Sequence, residues 1–390
     1  MIRVTDLVKI YPNGSVRAVD GVSFQVEEGT FYTLLGPSGC GKTTTLRCIA
    51  GLERADGGSI ELGDVTVVSD RVFVPTHRRD LGMVFQSYAV WPHMTVFENV
   101  AFPLRVGGQR LRKETLRDRV EKALTLVGLD QYAKRMATQL SGGQQQRLSL
   151  ARAIVREPKV LLLDEPLSNL DAKLRERMRG ELSVIQRRLG LTTLFVTHDQ
   201  VEALSMSDRI AVMDGGRIVQ EGSPQEIYSD PTNEFVASFI GSTNLFLGTH
   251  DGPSPTDPTR IRITTEFGVL EAEANDRLDP ARQVIVAIRP EDVILHRGAG
   301  DSEAGLNRFD AKVGIGLFTG NAVEYYVDVD SSLLQARSSS RHPLKRGDSV
   351  RIELPVDAIR TFSLEGEPKA RLGSRRLASL ARVDGDDVDG

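Results

Sequence analysis

Apolar and polar positions alternate over residues 1–35, in "IRVTDLVKI" and "VSFQV", and the stretch closes on the apolar run "FYTLLG". A period of two predicts strands, here leading into a glycine loop. Residues 36–52 hold that loop and then a helical run, "TTTLRCIAGL". "GGSIELGDVTVV" and "RVFVP" again predict short strands. The period becomes helical over residues 95–135. In "RKETLRDRVEKALTLVGL", Leu116, Val120, Leu124 and Val127 share one face, Glu114, Asp118 and Lys122 leave the other charged, and Gly128 marks a stop. From residue 148 the order is helix ("LSLARAIV"), buried strand ("KVLLLD"), helix (173–189), buried strand ("TTLFVTH"), helix, strand ("RIAVMDGG"). Strand alternating with helix predicts a mostly parallel sheet covered by helices.

The texture changes around residues 231–260, where "PTNEF" and "DGPSPTDPTR" are rich in proline, aspartate and threonine. A domain boundary is expected there. Beyond it come "RIRITT", "GVLEAEA", "QVIVAIR", "EYYVDVD" and "SVRIELP", with no long helical pattern. These predict a small all-β module of barrel or sandwich type over 241–366. The last stretch, 367–390, turns basic and then acidic and reads as a disordered tail.

Composition narrows the classes. The chain has 390 residues, 40% hydrophobic and 26% charged, with a net charge of −4. Those values are ordinary for a soluble globular protein, and no basic field points to nucleic acid. No apolar run approaches the ~20 residues of a membrane span. "MIRVTDLVKIY" lacks the apolar segment of a signal peptide. Two cysteines, Cys40 and Cys48, suit a reducing compartment. Any membrane role has to come through partners.

The first candidate chemistry lies in "GPSGCGKTTT", Gly36, Pro37, Ser38, Gly39, Cys40, Gly41, Lys42, Thr43 and Thr44. Gly36–Thr43 fit the G-x-x-x-x-G-K-[ST] phosphate loop, between a strand-like and a helical run as that motif requires. Glycines let backbone N–H groups wrap phosphate oxygens, and the helix N-terminus adds partial positive charge. Lys42 can reach the β- and γ-phosphates, and Thr43 can ligate Mg²⁺. About a hundred residues later, "LSGGQQQR" (140–147) offers a second bare, donor-rich backbone just ahead of a helical run. One chain thus carries two anion-binding candidates.

In "VLLLDEP", the acids Asp164 and Glu165 end an apolar run. At the C-terminal edge of a parallel sheet, Asp164 is placed to hold Mg²⁺ and Glu165 to polarise a water. Gln86 follows "LGMVF" and could contact Mg²⁺ or water; an ordinary surface glutamine fits as well. His198 ends "LFVTH" and could touch the γ-phosphate, or simply be a satisfied strand-end histidine. Tyr11 could stack on a base or pack. Trp91, the single tryptophan, could anchor a partner helix or lie in the core.

Together these residues make the chain resemble the nucleotide-binding subunits of ABC transporters, of the importer type with a C-terminal OB-like (TOBE) regulatory domain. Walker A is Gly36–Thr43, the Q-loop glutamine Gln86, and the signature "LSGGQ" Leu140–Gln144. Walker B is Val160–Glu165, the D-loop "SNLD" Ser168–Asp171, and the switch histidine His198. The likeness covers residues 1 to about 240, and "AIRPEDV" (287–293) carries it into the β region. It implies an α/β P-loop NTPase over 1–240, a RecA-like core with a helical subdomain at about 87–150, followed by the OB-like domain.

The resemblance implies ATP and Mg²⁺ as ligands. Tyr11 would stack on adenine. Thr43, Gln86 and Asp164 would organise Mg²⁺, Glu165 would activate water, and His198 would hold the γ-phosphate. Two cassettes would pair head to tail, so that Ser141, Gly142, Gly143 and Gln144 of one chain meet the nucleotide held by the other. Asp171 would couple the two sites. The 87–100 edge, "SYAVWPHM", would grip a membrane permease, with a solute-binding protein acting indirectly. That implies a peripheral position at the cytoplasmic face of the inner membrane. The wording around Trp91 leans to ferric-iron, polyamine or phosphonate importers; sugar importers of maltose or glycerol-phosphate type are the alternative. A soluble ABC ATPase working on nucleic acid or the ribosome is disfavoured, because the Walker A to signature gap has no heptad run and there is one cassette.

Overall fold

The computed structural model describes residues 1–11, 16–106, 111–275, 278–298, 306–330, 332–339 and 343–364. The expected tail at 367–390 lies outside the described residues. Contacts separate the chain into two compact units between Ser229 and Asp230.

In the first unit, β1 (Ile2–Ile10) and β2 (Arg17–Val26) pair antiparallel, and β3 (Phe31–Leu35) runs through the glycine loop into α1 (Lys42–Ala50). β4 (Gly57–Leu62) and β5 (Val65–Val68) complete an antiparallel sheet ordered β2-β1-β4-β5. There follow β6 (Leu81–Val84), α2 (Val96–Val106), α3 (Lys113–Leu126), α4 (Gly142–Ile154), β7 (Val160–Asp164) and α5 (Ala172–Leu189). The unit closes with β8 (Thr192–Thr197), α6 (Gln200–Met206), β9 (Arg209–Asp214), β10 (Arg217–Gly222) and α7 (Pro224–Ser229).

The main sheet runs β10-β9-β3-β8-β7-β6, parallel except for the edge strand β10. β3, β7 and β8 are buried at every position, as suits a sheet covered on both faces; most of their residues are apolar, and the polar ones, Thr33, Asp164, Thr192, Thr193 and Thr197, are buried too. Side chains alternate between two cores. Leu161, Leu163, Phe31 and Phe195 pack with helices α2–α5, while Val160, Leu162, Leu34, Leu194 and Val196 pack with α1 and the antiparallel sheet. Because the four strands β6, β7, β8 and β3 run the same way, their C-terminal ends open on one edge.

Two expectations change here. "RVFVP" forms no strand; it contributes one bridge, Val68 to Phe73, and Phe73 instead lies 5.5 Å under the Arg79 guanidinium. α4 begins at Gly142 and not at residue 148, so both glycines and all three glutamines are helical. The cause is local. Gln144 Oε1 accepts from the Ser141 N–H at 2.9 Å, which caps the turn. Gly143 is buried, and a Cβ there would meet Leu174 of α5 at 3.0 Å.

The second unit opens with α8 (Glu234–Phe239), and among the described residues strands follow, broken only by a 3-10 turn at Val356–Ala358. β11 (Asn244–Pro253), β12 (Arg260–Thr265), β13 (Gly268–Glu273), β14 (Gln283–Ile288) and β15 (Ile294–Arg297) come first. β16 (Arg308–Phe318), β17 (Ala322–Val329), β18 (Ser332–Ser339), β19 (Ser349–Glu353) and β20 (Arg360–Ser363) follow. They form two five-stranded antiparallel sheets, β13-β12-β11-β14-β20 and β15-β19-β16-β17-β18, around one apolar cluster that includes Ile263, Leu270, Val286, Tyr325, Val327 and Ile352. β11 runs straight into the proline-rich stretch read as a boundary, and Pro253 still pairs with Ile261. β16 escaped the sequence reading because Gly314 and Gly316 interrupt its apolar pattern; a Cβ on Gly316 would meet the Tyr325 ring at 3.0 Å. Among the described residues no helix is long and apolar enough to cross a membrane.

Candidate active site

The sheet edge gathers residues that are distant in sequence. β3 delivers the loop Gly36–Thr43, β8 delivers His198, β7 delivers Asp164 and Glu165, and β6 delivers Gln86. The loop's path needs glycine at two points. A Cβ on Gly36 would sit 2.3 Å from the Met213 carbonyl oxygen, and one on Gly41, at φ 104°, would sit 2.1 Å from that of Ala18. Gly39, also at positive φ, faces open space, so nothing fills the cradle's outer side.

Lys42 is buried, yet its Nζ has only loop partners: the carbonyls of Gly36 at 2.8 Å and Pro37 at 2.9 Å, and Cys40 Sγ at 3.7 Å. No ion pair involves Lys42 among the described residues. A buried ammonium without a carboxylate suits an anion. Burial pushes the Cys40 thiol up, so it stays neutral beside the lysine. Ser38 is exposed, Pro37 and Thr44 half-buried. Thr43 Oγ1 donates to Asp164 Oδ1 at 3.1 Å. Two hard oxygen donors from loop and strand fit Mg²⁺, which takes a carboxylate together with phosphate and water oxygens. Burial raises the Asp164 carboxyl above its usual range, with the Thr43 bond opposing. The residues present thus fit a polyphosphate with its metal.

Glu165 stands next to this pair on left-handed backbone, φ 42°. Its Oε2 accepts from Gln86 Nε2 at 3.3 Å and faces His198 Nδ1 at 3.1 Å. An ionised carboxylate only accepts, so Nδ1 carries the hydrogen. Its backbone is pinned too: the Glu165 N–H donates to the Val196 carbonyl at 3.0 Å. Tyr11 reaches the loop from β1, its hydroxyl donating to Glu53 at 2.7 Å and lying 3.3 Å from Thr44 Oγ1.

The remaining candidates lie apart from this cluster. Ser141 and Gly142 are exposed at the start of α4. Among the described residues no hydrogen bond joins Ser141–Gln144 to the loop at 36–44; Ser141 and Gln144 bond each other. Gly142 lies against Leu170, in the segment Ser168–Asp171. Asp171 caps α5, accepting from the Leu174 N–H at 3.0 Å. Trp91 is half-buried against Phe102, ring centroids 4.3 Å apart, with the Arg152 guanidinium 4.6 Å above its ring.

Sequence reasoning missed several supporting residues. Asn169 Nδ2 donates to the Gln86 carbonyl at 2.8 Å, and Asn99, wholly buried, exchanges bonds with the Trp91 backbone. Glu53 fixes Tyr11. Arg152 is buried against the turn after Gln86. Asn169 lies in the "SNLD" stretch, but its bond to the Gln86 carbonyl spans 83 positions; the others sit in no motif, and a buried arginine looks the same in sequence as a solvated one.

The ABC transporter family matches residues 19–168, and the TOBE domain family matches residues 286–362. The trehalose/maltose import ATP-binding protein of Thermococcus litoralis is 50% identical over 299 residues, 75% of this chain and 78% of that one. The spermidine/putrescine import ATP-binding protein of Pasteurella multocida is 48% identical over 76% of this chain and 77% of that one. The xylose/arabinose import ATP-binding protein of Haloferax volcanii is 42% identical over 98% of this chain and 99% of that one. Among solved structures, a dimeric ATP-binding cassette in a post-hydrolysis state bound to ADP and Pi matches 57% of this chain and 99% of its own, at 30% identity and TM-score 0.51. A cassette from Clostridium perfringens, part of an ABC transporter complex, matches 59% of this chain and 90% of its own, at 28% identity and TM-score 0.54. The chain therefore belongs to the ABC transporters, as an import ATP-binding subunit that hydrolyses ATP with Mg²⁺ and carries a TOBE domain.

Proposed function

We propose that this chain drives solute import as half of a head-to-tail pair, each active site being shared between two copies. The observation that carries the reading is the junction at Glu165, where one carboxylate oxygen meets both Gln86 and His198 beside the phosphate loop. Lys42 and the loop amides offset charge on the transferring phosphoryl group. Thr43, Asp164 and Gln86 would hold Mg²⁺, which when bound would supply positive charge against the phosphate oxygens. Glu165 takes a proton as the water oxygen attacks the γ-phosphorus, and the bond to ADP breaks. His198 keeps the attacking water and γ-phosphate in line. Tyr11 stacks on the base.

Among the described residues, Ser141, Gly142, Gly143 and Gln144 make no hydrogen bond to their own chain's phosphate loop, which supports a role for them at the site of a second copy. They complete the site on the partner, Asp171 links the two sites, and closure depends on contacts that exist only in the closed pair. The 87–100 edge then holds a permease at the cytoplasmic face of the membrane, where Pro92 and His93 are exposed. A solute-binding protein acts through that permease.

Cargo is chosen by those partners. Relatives named for trehalose/maltose, xylose/arabinose and spermidine/putrescine favour a sugar or a polyamine. Polyamine belongs to the expected ferric-iron, polyamine or phosphonate group, and the sugar names support the alternative. The test is uptake in the native cell after deletion of this chain, with labelled xylose, maltose, putrescine and ferric iron side by side. A defect in one sugar or polyamine, restored by the wild-type chain and not by Glu165→Gln, is expected. Unchanged uptake of every solute would remove the cargo reading.

A further inference from the structure

Arg152 is a buried cation with no carboxylate. It lies late in α4, the helix that Ser141 and Gln144 open. Its guanidinium donates to the Ala89 carbonyl at 2.5 Å and the Tyr88 carbonyl at 2.8 Å, and covers the Trp91 ring at 4.6 Å. No ion pair involves it among the described residues. Burial holds its pKa down to about 10, so it remains charged at neutral pH.

What it grips is strained. Tyr88 and Ala89 are consecutive non-glycine residues at positive φ, 60° and 47°. Such backbone persists only where its surroundings enforce it. The turn starts two residues after Gln86 and ends two before Trp91. Trp91 is held from its other side by Asn99, whose side chain accepts from its N–H at 2.9 Å and donates to its carbonyl at 3.1 Å. The packing here is also imperfect. Tyr88 Oη, both amide atoms of Gln146 and Ser149 Oγ are buried with no partner. Gln146 and Ser149 occupy the same helix as Arg152. Unpaired buried polar groups are costly, so this joint is less tightly satisfied than the core around it.

We propose that Arg152 is a positioning residue that locks the turn after Gln86 to α4, so that a change at Gln86 moves the Ser141 end of that helix. Its guanidinium bridges the strained turn, the Trp91 ring and the helix. A signal at the nucleotide held by one chain thereby reaches the donors presented to the other. This inference rests on the proposed role of Gln86 and of the shared site.

Trp91 is the single tryptophan, so its fluorescence reads the joint directly. The test uses the purified full chain, Mg-ATP titrations of Trp91 emission, separate measurement of ATP binding, and steady-state turnover. For the wild type, ATP shifts the emission. Arg152→Met keeps the bulk but removes the donors. It should abolish the shift and lower kcat at least tenfold, while KM for ATP stays within about twofold. Arg152→Lys, which keeps one charged donor, should recover part of both. A merely structural arginine would lower stability without separating kcat from KM. Should Arg152→Met not fold, Gln86→Ala decides: it must silence Trp91 even with Arg152 intact. Full emission response and kcat in Arg152→Met, or a persistent response in Gln86→Ala, would overturn the inference. So would a wild-type Trp91 blind to ATP, even with turnover normal; an absence of turnover in the wild type would strike the functional reading instead.

Discussion

Glu165 occupies left-handed backbone directly after a fully buried strand, and that placement turns its carboxylate toward Gln86 and His198. Neutral glutamine at this position keeps the shape and loses the proposed base. Glu165→Gln should bind ATP as the wild type does and lower turnover by about 100-fold or more, since general bases contribute on that order. Rapid turnover in this variant, read by phosphate release, would end the assignment of the base. Lys42→Ala removes the buried ammonium that faces two carbonyls and the Cys40 sulfur, and should weaken ATP binding and turnover together, a pattern that titration of a fluorescent nucleotide separates from that of Glu165→Gln. At this scale the residues of contiguous motifs were legible. Gly36–Thr43, Asp164 and Glu165 announce themselves because local spacing alone dictates their chemistry. Arg152 and Asn169 were not legible, because each acts on a carbonyl 63 or more positions away.

The elements that position the site are held by caps as well as by packing. Asp171 accepts from Leu174 N at the start of α5, and Asp199 does the same for α6, accepting from Glu202 N at 3.0 Å. Asp171→Ala should cost about 1 kcal/mol in urea denaturation, the usual value of an N-cap. Asp171→Asn should retain that stability. If both variants unfold alike, the cap is not what Asp171 contributes. The helices and buried strands of the first unit were readable because long periods of 3.6 and unbroken apolar runs leave few alternatives. α4 starts six residues ahead of its apolar period, since glycine and glutamine carry no such period, whereas the cap formed by Ser141 and Gln144 decides its start. In the second unit the strands rich in glycine or serine, β16 and β18, gave no alternation to read, and only their partners across the sheet define them.

At the scale of the molecule, one chain carries a complete phosphate cradle and a separate helix start, at Ser141, that does not bond to that cradle. The proposed head-to-tail pair accounts for both features at once: in it, each chain would lend its signature to the nucleotide of the other. ATP then stabilises the closed pair by contacts that the open pair lacks. The measurement that tests this most directly is ATP binding and ATP turnover in Ser141→Arg, made side by side on the full chain. Ser141 is exposed, so a larger side chain disturbs no core. The account predicts ATP affinity close to wild type and turnover reduced to background. Wild-type turnover in that variant would contradict it, because the active site would then be complete within a single chain.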